Sequence, residues 1–499
     1  MHSSTDALPS LGVRPRQRRP GTGLLLAGLI AFGAVMVSYL AYKYSHPYSW
    51  TMDPVDLRVY RTGGLIVRHV RPAYNPQGPA PLYDWPGYGG LKLQFTYPPF
   101  AALAFSLVSF IPWAQVTKAA VLANIGFLVL TLWFTYGGLG YRGRRVRLGA
   151  ALLTAAAVFW TEPVMRTIYL GQVNLALMAL IMWDMCQPDR RWWKGAGVGI
   201  AAGIKLVPLI FIPYLMVTRR FRQAGVACAA FAASVAAGFA VLPADSAKWW
   251  FTGLFFNGGR AGFVGWEGNQ SLRALTARLV GSIAGSERAW LVVVTLTVAA
   301  GLAGAAVLDR KGHRMAGLLT CALTGLLASP ISWDHHWVWI VPGIALAVRY
   351  AAAAMAAAAR QQARQPRLTH WRDRVVQVHV WASSRLAWKY GALAAAMLVV
   401  FGAWPGGLWG RPRDLGDFSL GVLWAAPGTS MATYEKLGDR RWYAEYHWHG
   451  LQLIAGNAYV LCGLALLGIL LAAAYLAPGP DRLAPADPAR QPADLAATS

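Results

Sequence analysis

Acidic side chains are scarce in this sequence: 21 Asp and Glu stand among 499 residues, against 46 Lys and Arg. Charge of either sign is thin as well, at 13% where a soluble domain carries about a quarter, while hydrophobic residues make up 56%. An ordinary soluble globular domain is thereby excluded. Cysteine is also rare. Cys186, Cys228, Cys321 and Cys462 lie inside or at the edge of apolar runs, with no metal-ligand spacing, so each reads as a small buried hydrophobe and a disulfide framework is not expected. There is no Walker loop, no G-x-G-x-x-G after a strand, no G-x-S-x-G elbow and no H-E-x-x-H. No nucleotide, cofactor or metal is expected, and any group donor would have to arrive through the membrane as a lipid.

What is present is apolar chain in long runs. At roughly 20 residues per bilayer crossing, twelve candidate spans fall near 22–44, 98–115, 117–138, 148–163, 173–187, 195–217, 223–242, 289–308, 315–329, 335–354, 388–404 and 451–475. The fold class expected is an all-α polytopic membrane protein of about 12 transmembrane helices. The first run is too long for a cleaved signal peptide. The formal charge of +25 does not mean nucleic acid, because the basic residues sit in short clusters between apolar runs. Four of these are Arg14 to Arg19, Arg219 to Arg222, Arg310 to Arg314 and Arg360 to Arg374, and all fall on the cytoplasmic side if the N-terminus is inside. Arg142 to Arg147 and Arg190 to Lys194 would then face outward, against the rule. Anchoring to anionic lipid headgroups accounts for most of these arginines.

Three domains follow: a basic tail over 1–20, a membrane domain over 21–476, and a C-terminal tail over 477–499, both tails having disordered composition. Segment 351–387 suits a cytoplasmic amphipathic helix. Three long loops, about 45–97, 243–288 and 405–449, face outward and hold most of the polar chain, so chemistry or binding is expected on the outer face of the plasma membrane.

The first outer loop carries Asp53 and Asp56 in Ser49-Trp-Thr-Met-Asp53-Pro-Val-Asp56-Leu-Arg-Val-Tyr60, two carboxylates where acid is scarcest. Asp56 can open a short interfacial helix whose N-terminus keeps it ionised; plain capping is the alternative for both residues. Thr96-Tyr-Pro-Pro-Phe100 marks re-entry into the membrane. Glu162, Arg166, Gln172 and Asn174 are polar positions in apolar chain. Lys205 lies inside the run 195–217 with no carboxylate nearby in sequence, where a lipid phosphate would be a fitting partner and snorkelling is the bland alternative. Arg260, Asn269, Gln270, Arg273 and Arg278 form a cationic, hydrogen-bonding stretch. Asp334-His335-His336 forms a turn on the same side; adjacent histidines rarely bind one metal well, so a polar cavity wall touching sugar or phosphate fits better.

Taken in order, Asp56-Leu-Arg-Val-Tyr60, Thr96-Tyr-Pro-Pro, Gly171-Gln-Val-Asn174, Ile204-Lys-Leu-Val-Pro208, Gly268-Asn-Gln-Ser271 and Ser329-Pro-Ile-Ser-Trp-Asp-His-His336 resemble glycosyltransferase family 87 over about 50–350. The chain beyond about 355 carries no such likeness. The resemblance implies a GT-C-type bundle whose outward loops carry the active site. It also implies a polyprenyl-phosphate sugar donor, chiefly mannose, and a glycolipid or lipoglycan acceptor such as a phosphatidylinositol mannoside or lipomannan, joined in α-1,2 linkage. Asp56 matches the family's catalytic aspartate, with Asp53 its neighbour.

Transfer from a β-linked lipid phosphate to give an α-linkage is an inverting single displacement needing one general base. Phosphate leaves without protonation, so the second carboxylic acid of an inverting hydrolase is not required. Lys205, Arg260, Arg273, His335 and His336 are the candidates to hold phosphate or sugar, with Asp53, Tyr60, Gln172, Asn174, Asn269, Gln270 and Asp334 as further site residues. An arabinofuranosyltransferase using polyprenyl-phosphate arabinose is the runner-up. A transporter or flippase is the rival class, although its polar residues would lie near the midplane on broken helices.

Overall fold

The computed structural model describes residues 21–45, 54–69, 81–85, 93–363, 372–403, 421–429, 433 and 442–476; the expected tails and Asp53 lie outside them. Among these residues the chain is helical and contains no strand. Six helices are long and apolar enough to cross a membrane, or seven if the bent pair Glu162–Leu170 and Asn174–Met185 counts as one, which makes this a multi-pass membrane protein. The expected twelve is not reached on that criterion.

Helix α1 (Thr22–Ser45) packs along α5 (Arg144–Val158), and the approach is close because a Cβ on Gly28 would come within 2.7 Å of Gly149 O. Between them in sequence come the short α2 (Val55–Val67) and α3 (Pro99–Ser109), packed on each other, and the long α4 (Trp113–Gly138). Pro98 is the N-cap of α3, where a missing N–H costs nothing. Arg68 bonds to Ser109 at 3.2 Å, Arg61 reaches Ile111 O, and Arg58 stacks on Trp113. The run 98–115 is therefore a short helix and a turn laid against α2, not a full-length span.

Helices α6 (Glu162–Leu170) and α7 (Asn174–Met185) meet at 114°. Gly171 makes the corner: at φ 67° it terminates α6 in the left-handed region, and a Cβ there would meet Leu57 Cβ at 2.6 Å. This contact brings α2 onto the corner.

The run 195–217 is not one helix. Helix α8 (Ala196–Ile204) stops at Lys205, whose backbone is extended, and a 3₁₀ turn (Val207–Ile210) leads into α9 (Phe211–Val217). Gly195 lies against Gln223, Gly199 against Ala227 and Ala230, and Gly203 against Ser234, so α8 runs parallel to α10 (Phe221–Val241). Both helices start at one end of the bundle, and α9 returns to that end. The segment is a re-entrant V with Lys205 near its tip.

That end gathers the basic clusters. Asp189 pairs with Lys194 and with Arg314, each at 2.9 Å, and Arg222 caps the carbonyls of Arg191 and Trp192. Arg220 and Tyr214 both bond to Asp309 near the C-terminus of α13 (Ile283–Arg310). Gly138 abuts Cys186 and Met315, and Gly21 abuts Val146. The clusters at 142–147 and 190–194 thus lie with those at 219–222 and 310–314, which corrects their expected separation.

The sequence continues through α11 (Pro243–Phe251), α12 (Leu272–Val280), α13 and α14 (Arg314–Ala328) to a 3₁₀ turn over Asp334–Trp339. Helices α15 (Ile340–Ala363) and α16 (Arg372–Val400) pack on each other, so the described residues of segment 351–387 belong to the end of one long helix and the start of another. The short α17 (Gly450–Gly456) precedes α18 (Ala458–Leu476), which closes the bundle against α13 and α14.

Candidate active site

The site forms at the end of the bundle opposite the basic clusters, where α2, the α6–α7 corner, the tip of the re-entrant V and the Asp334–Trp339 turn converge. Asp56 sits in the first turn of α2; the N-cap is Pro54 and no side chain caps the helix. Its half-buried carboxylate instead accepts a hydrogen bond from Gln172. One turn later the Tyr60 hydroxyl donates to Gln172 Oε1 at 2.5 Å and lies 2.8 Å from the Tyr97 hydroxyl. A phenol has one proton to give, so Tyr97 donates to Tyr60, Tyr60 to Gln172, and Gln172 to Asp56. Burial raises the Asp56 carboxyl above the ordinary carboxylate range, against the pull of His335, the Gln172 bond, Lys205 and Arg166. Burial, with Tyr97 and Asp56 beside it, holds the Tyr60 phenol protonated far above neutral pH.

Lys205 faces this chain from the tip of the V. Its ammonium donates to Asn174 Oδ1 at 2.9 Å and to His336 Nε2 at 2.8 Å, and lies 5.9 Å from the Tyr97 ring. His336 can accept there because its other nitrogen donates to Ile331 O. No carboxylate pairs with Lys205 among the described residues. Beneath it opens a small cavity walled by Leu177, Met178, Ile181, Pro208, Phe211 and Leu326, with Lys205, Asn174 and His336 at its polar end.

Asp334 and His335 belong to a different wall. Asp334 Oδ2 is 2.8 Å from Arg166 Nε, and its Oδ1 accepts from the His335 backbone at 2.7 Å and from His335 Nδ1 at 2.9 Å. The His335 carbonyl takes hydrogen bonds from Thr167 and Asn174. Arg166 stacks 4.8 Å from the Trp424 ring, while Trp424 and Tyr459 both donate to the buried carboxylate of Glu162.

Of the residues singled out in sequence, Asp56, Tyr60, Gln172, Asn174, Lys205, Asp334, His335 and His336 are brought together. Arg260 borders them, its guanidinium directed at the carbonyls of Tyr83 and Phe95 in the first loop. Asn269 and Gln270 are fully buried with their amides spent on backbone: Asn269 on Val264, Pro330 and Ser332, Gln270 on Glu267, Gly456 and Tyr459. Arg273 pairs with Glu287 and stacks on Trp290. Arg278 is buried among the carbonyls of Gly265, Trp266 and Asn269 and the Asn457 side chain. These four brace the loops instead of facing the Asp56 group. Tyr97, Arg166, Trp424 and Tyr459 were not singled out as site residues. The spacing of Glu162 and Arg166, four apart in apolar chain, was a usable signal; Trp424 and Tyr459 offered none.

The arrangement can do base chemistry at Asp56 and hold an anion at Lys205. Residues 95–330 match the model of glycosyltransferase family 87. The chain is 34% identical over 348 residues to a polyprenol-phosphate-mannose-dependent alpha-(1-2)-phosphatidylinositol pentamannoside mannosyltransferase of Mycobacterium tuberculosis, covering 68% of this chain and 75% of the relative. A protein of the same description from Mycolicibacterium smegmatis is 32% identical over 345 residues, 68% and 78% of the two chains. A phosphatidylinositol mannoside mannosyltransferase from Mycobacterium tuberculosis is 32% identical over 342 residues, 65% and 77% of the two chains. No solved structure matches significantly. With two thirds of the chain and three quarters of a relative aligned at this identity, the protein is a glycosyltransferase and belongs to glycosyltransferase family 87.

Proposed function

We propose that the protein transfers mannose from a polyprenyl-phosphate donor to a lipid-linked mannoside or mannan, in α-1,2 linkage, on the outer face of the plasma membrane. The observation that carries this reading is the meeting of a lone buried-side cation, Lys205, with an apolar cavity below it and a single carboxylate, Asp56, beside it. A lipid phosphate supplies what each part lacks: its anion pairs with Lys205 and His336, its apolar chain enters the cavity, and its sugar lies toward Asp56. Asp56 takes the acceptor proton as the acceptor oxygen attacks the anomeric carbon and the phosphate departs with the bonding pair. The donor and acceptor named for the relatives support this assignment.

The gathering of basic clusters at the far end supports an inside position for that end. If neither 98–115 nor 195–217 crosses, two crossings drop from the expected twelve and both termini of the membrane domain, 21–476, remain inside. Cysteine placed at Asp84 should then react with an impermeant reagent in intact cells, and cysteine at Trp192 should not; the reverse pattern would invert the enzyme.

The activity itself is tested with purified protein, polyprenyl-phosphate mannose and short lipid-linked mannosides, followed by linkage analysis of the product. A new α-1,2-mannosyl residue is expected. Transfer only from polyprenyl-phosphate arabinose would move the assignment to the arabinofuranosyl class, and lipid translocation without transfer would move it to a flippase.

A further inference from the structure

His335 and His336 are adjacent, yet only His336 faces Lys205. We propose that His335, backed by Asp334, is a second proton acceptor beside Asp56, receiving through its Nε2 the proton that Asp56 removes from the acceptor hydroxyl. The inference rests on the reading of Asp56 as base.

The geometry carries it in three steps. His335 Nδ1 is 2.9 Å from Asp334 Oδ1, and a carboxylate there fixes the tautomer with the proton on Nδ1 and the lone pair on Nε2. His335 is buried, 6% exposed, and its Nε2 has no hydrogen-bond partner among the described residues, although a buried polar atom ordinarily has one. Finally, the His335 ring and the Asp56 carboxylate share the site without touching, and a protonated His335 would act on that carboxylate ahead of Lys205 and Arg166. A base nitrogen without a hydrogen-bond partner among the described residues thus stands in the same site as the carboxylate that must lose a proton before the next turnover. Asp334, Arg166 and His336, the other charged or titratable groups against the ring, are themselves bonded to partners.

The step balances. The acceptor O–H bond breaks to Asp56, the acceptor oxygen bonds to the sugar carbon, and the phosphate leaves with the electron pair of its C–O bond. The proton then passes from Asp56 to His335 Nε2 through one bridging water, and the imidazolium formed faces the Asp334 carboxylate at Nδ1.

The test uses the full-length protein with His335→Ala and His335→Asn. An asparagine places an amide N–H where Nδ1 sits, keeps the Asp334 bond and removes only Nε2, so it guards against misfolding. We expect both variants to turn over about 10²-fold more slowly with the donor KM unchanged, and added imidazole to restore turnover in His335→Ala. A raised donor KM without imidazole rescue would make His335 a phosphate contact and overturn the proposal; so would normal turnover in His335→Asn. Asp56→Asn run in parallel separates the two failures. If it stays active the base assignment falls, whereas if it is dead while His335→Asn is normal, only the second acceptor falls.

Discussion

Two regions of one site are built on opposite plans. Around Asp334, two buried carboxylates each find partners within the fold: Asp334 holds Arg166 and His335, and Glu162 takes Trp424 and Tyr459. Around Lys205, a buried-side cation is hydrogen-bonded to an amide and an imidazole, with Asp56 acting on it only from a distance and an apolar cavity beneath. A charge left without a counter-ion in such surroundings is costly. The first region therefore finds its hydrogen-bond partners within the fold and serves as a frame, while the second is completed by an anion from outside. Breaking the contrast means finding a residue of the frame that behaves like the anion site, or the reverse.

The largest effect is expected at the carboxylate between the two regions. Asp56→Asn keeps the shape and the Gln172 contact but cannot accept a proton, so kcat should fall by about 10²–10⁴-fold while donor binding persists. The pH profile sharpens this. Because burial raises the Asp56 carboxyl, it protonates at a higher pH than a free carboxylate, and an ionised base is lost as pH falls through that raised value. The acid limb of kcat/KM should lie above the ordinary carboxylate range. A limb at the ordinary value, or near-normal turnover of Asp56→Asn, would remove Asp56 from the role; in the second case Asp53 inherits the question.

Next comes the anion site. Lys205→Ala should weaken donor binding by about 2–5 kcal/mol, the range for truncating one partner of a buried charge pair, and leave the acceptor KM nearly unchanged. Equal loss for donor and acceptor would make Lys205 part of the frame, and the contrast between the regions would collapse.

How far the sequence foretells these regions depends on the range of the interactions. Asp56 in the first turn of a short helix, and α3 starting at the Pro98-Pro99 pair, rest on local chemistry and are found where expected. The long apolar helices α1, α4, α10, α13 and α18 likewise follow from their composition. Hydropathy carries no sense of direction, however, so the run 195–217 reads as a crossing although it turns back at Lys205 and Pro208. The misplaced clusters at 142–147 and 190–194 were the sign of the error. At the site, His335 and His336 could not be told apart in sequence; what separates them is one contact to Lys205 and another to Asp334, made by folding. Glu162 meets Trp424 and Tyr459 across more than 250 residues, a pairing that no local pattern encodes.

A smaller effect distinguishes bracing from chemistry. Gln270 bonds to Glu267 O and Gly456 O and receives the Tyr459 amide, tying the second outer loop to α17 and α18. Gln270→Ala strands those groups, and each buried unsatisfied partner costs about 1–3 kcal/mol. The expected result is a lower Tm with donor and acceptor KM values unchanged in the protein that remains folded. A selective rise in either KM would return Gln270 to the site, where the family-like motif Gly268-Asn-Gln-Ser271 first suggested it.

The smallest effect is expected at Arg273, the other cation that the sequence offered for the donor phosphate. Its guanidinium already has a counter-ion in Glu287 and an aromatic face in Trp290, and the Glu287 side chain is 37% exposed. A pair screened by solvent to that degree contributes under about 1 kcal/mol. Arg273→Ala should therefore shift Tm marginally and change the donor KM less than twofold, against the large change at Lys205. Glu287→Ala makes the comparison sharper, because it releases the arginine without removing it. If Arg273 is only a brace, both variants look alike; if it serves the phosphate, Glu287→Ala should tighten donor binding while Arg273→Ala weakens it. That divergence would extend the anion site from the tip of the re-entrant V to α12, and would place the phosphate between two cations instead of over one.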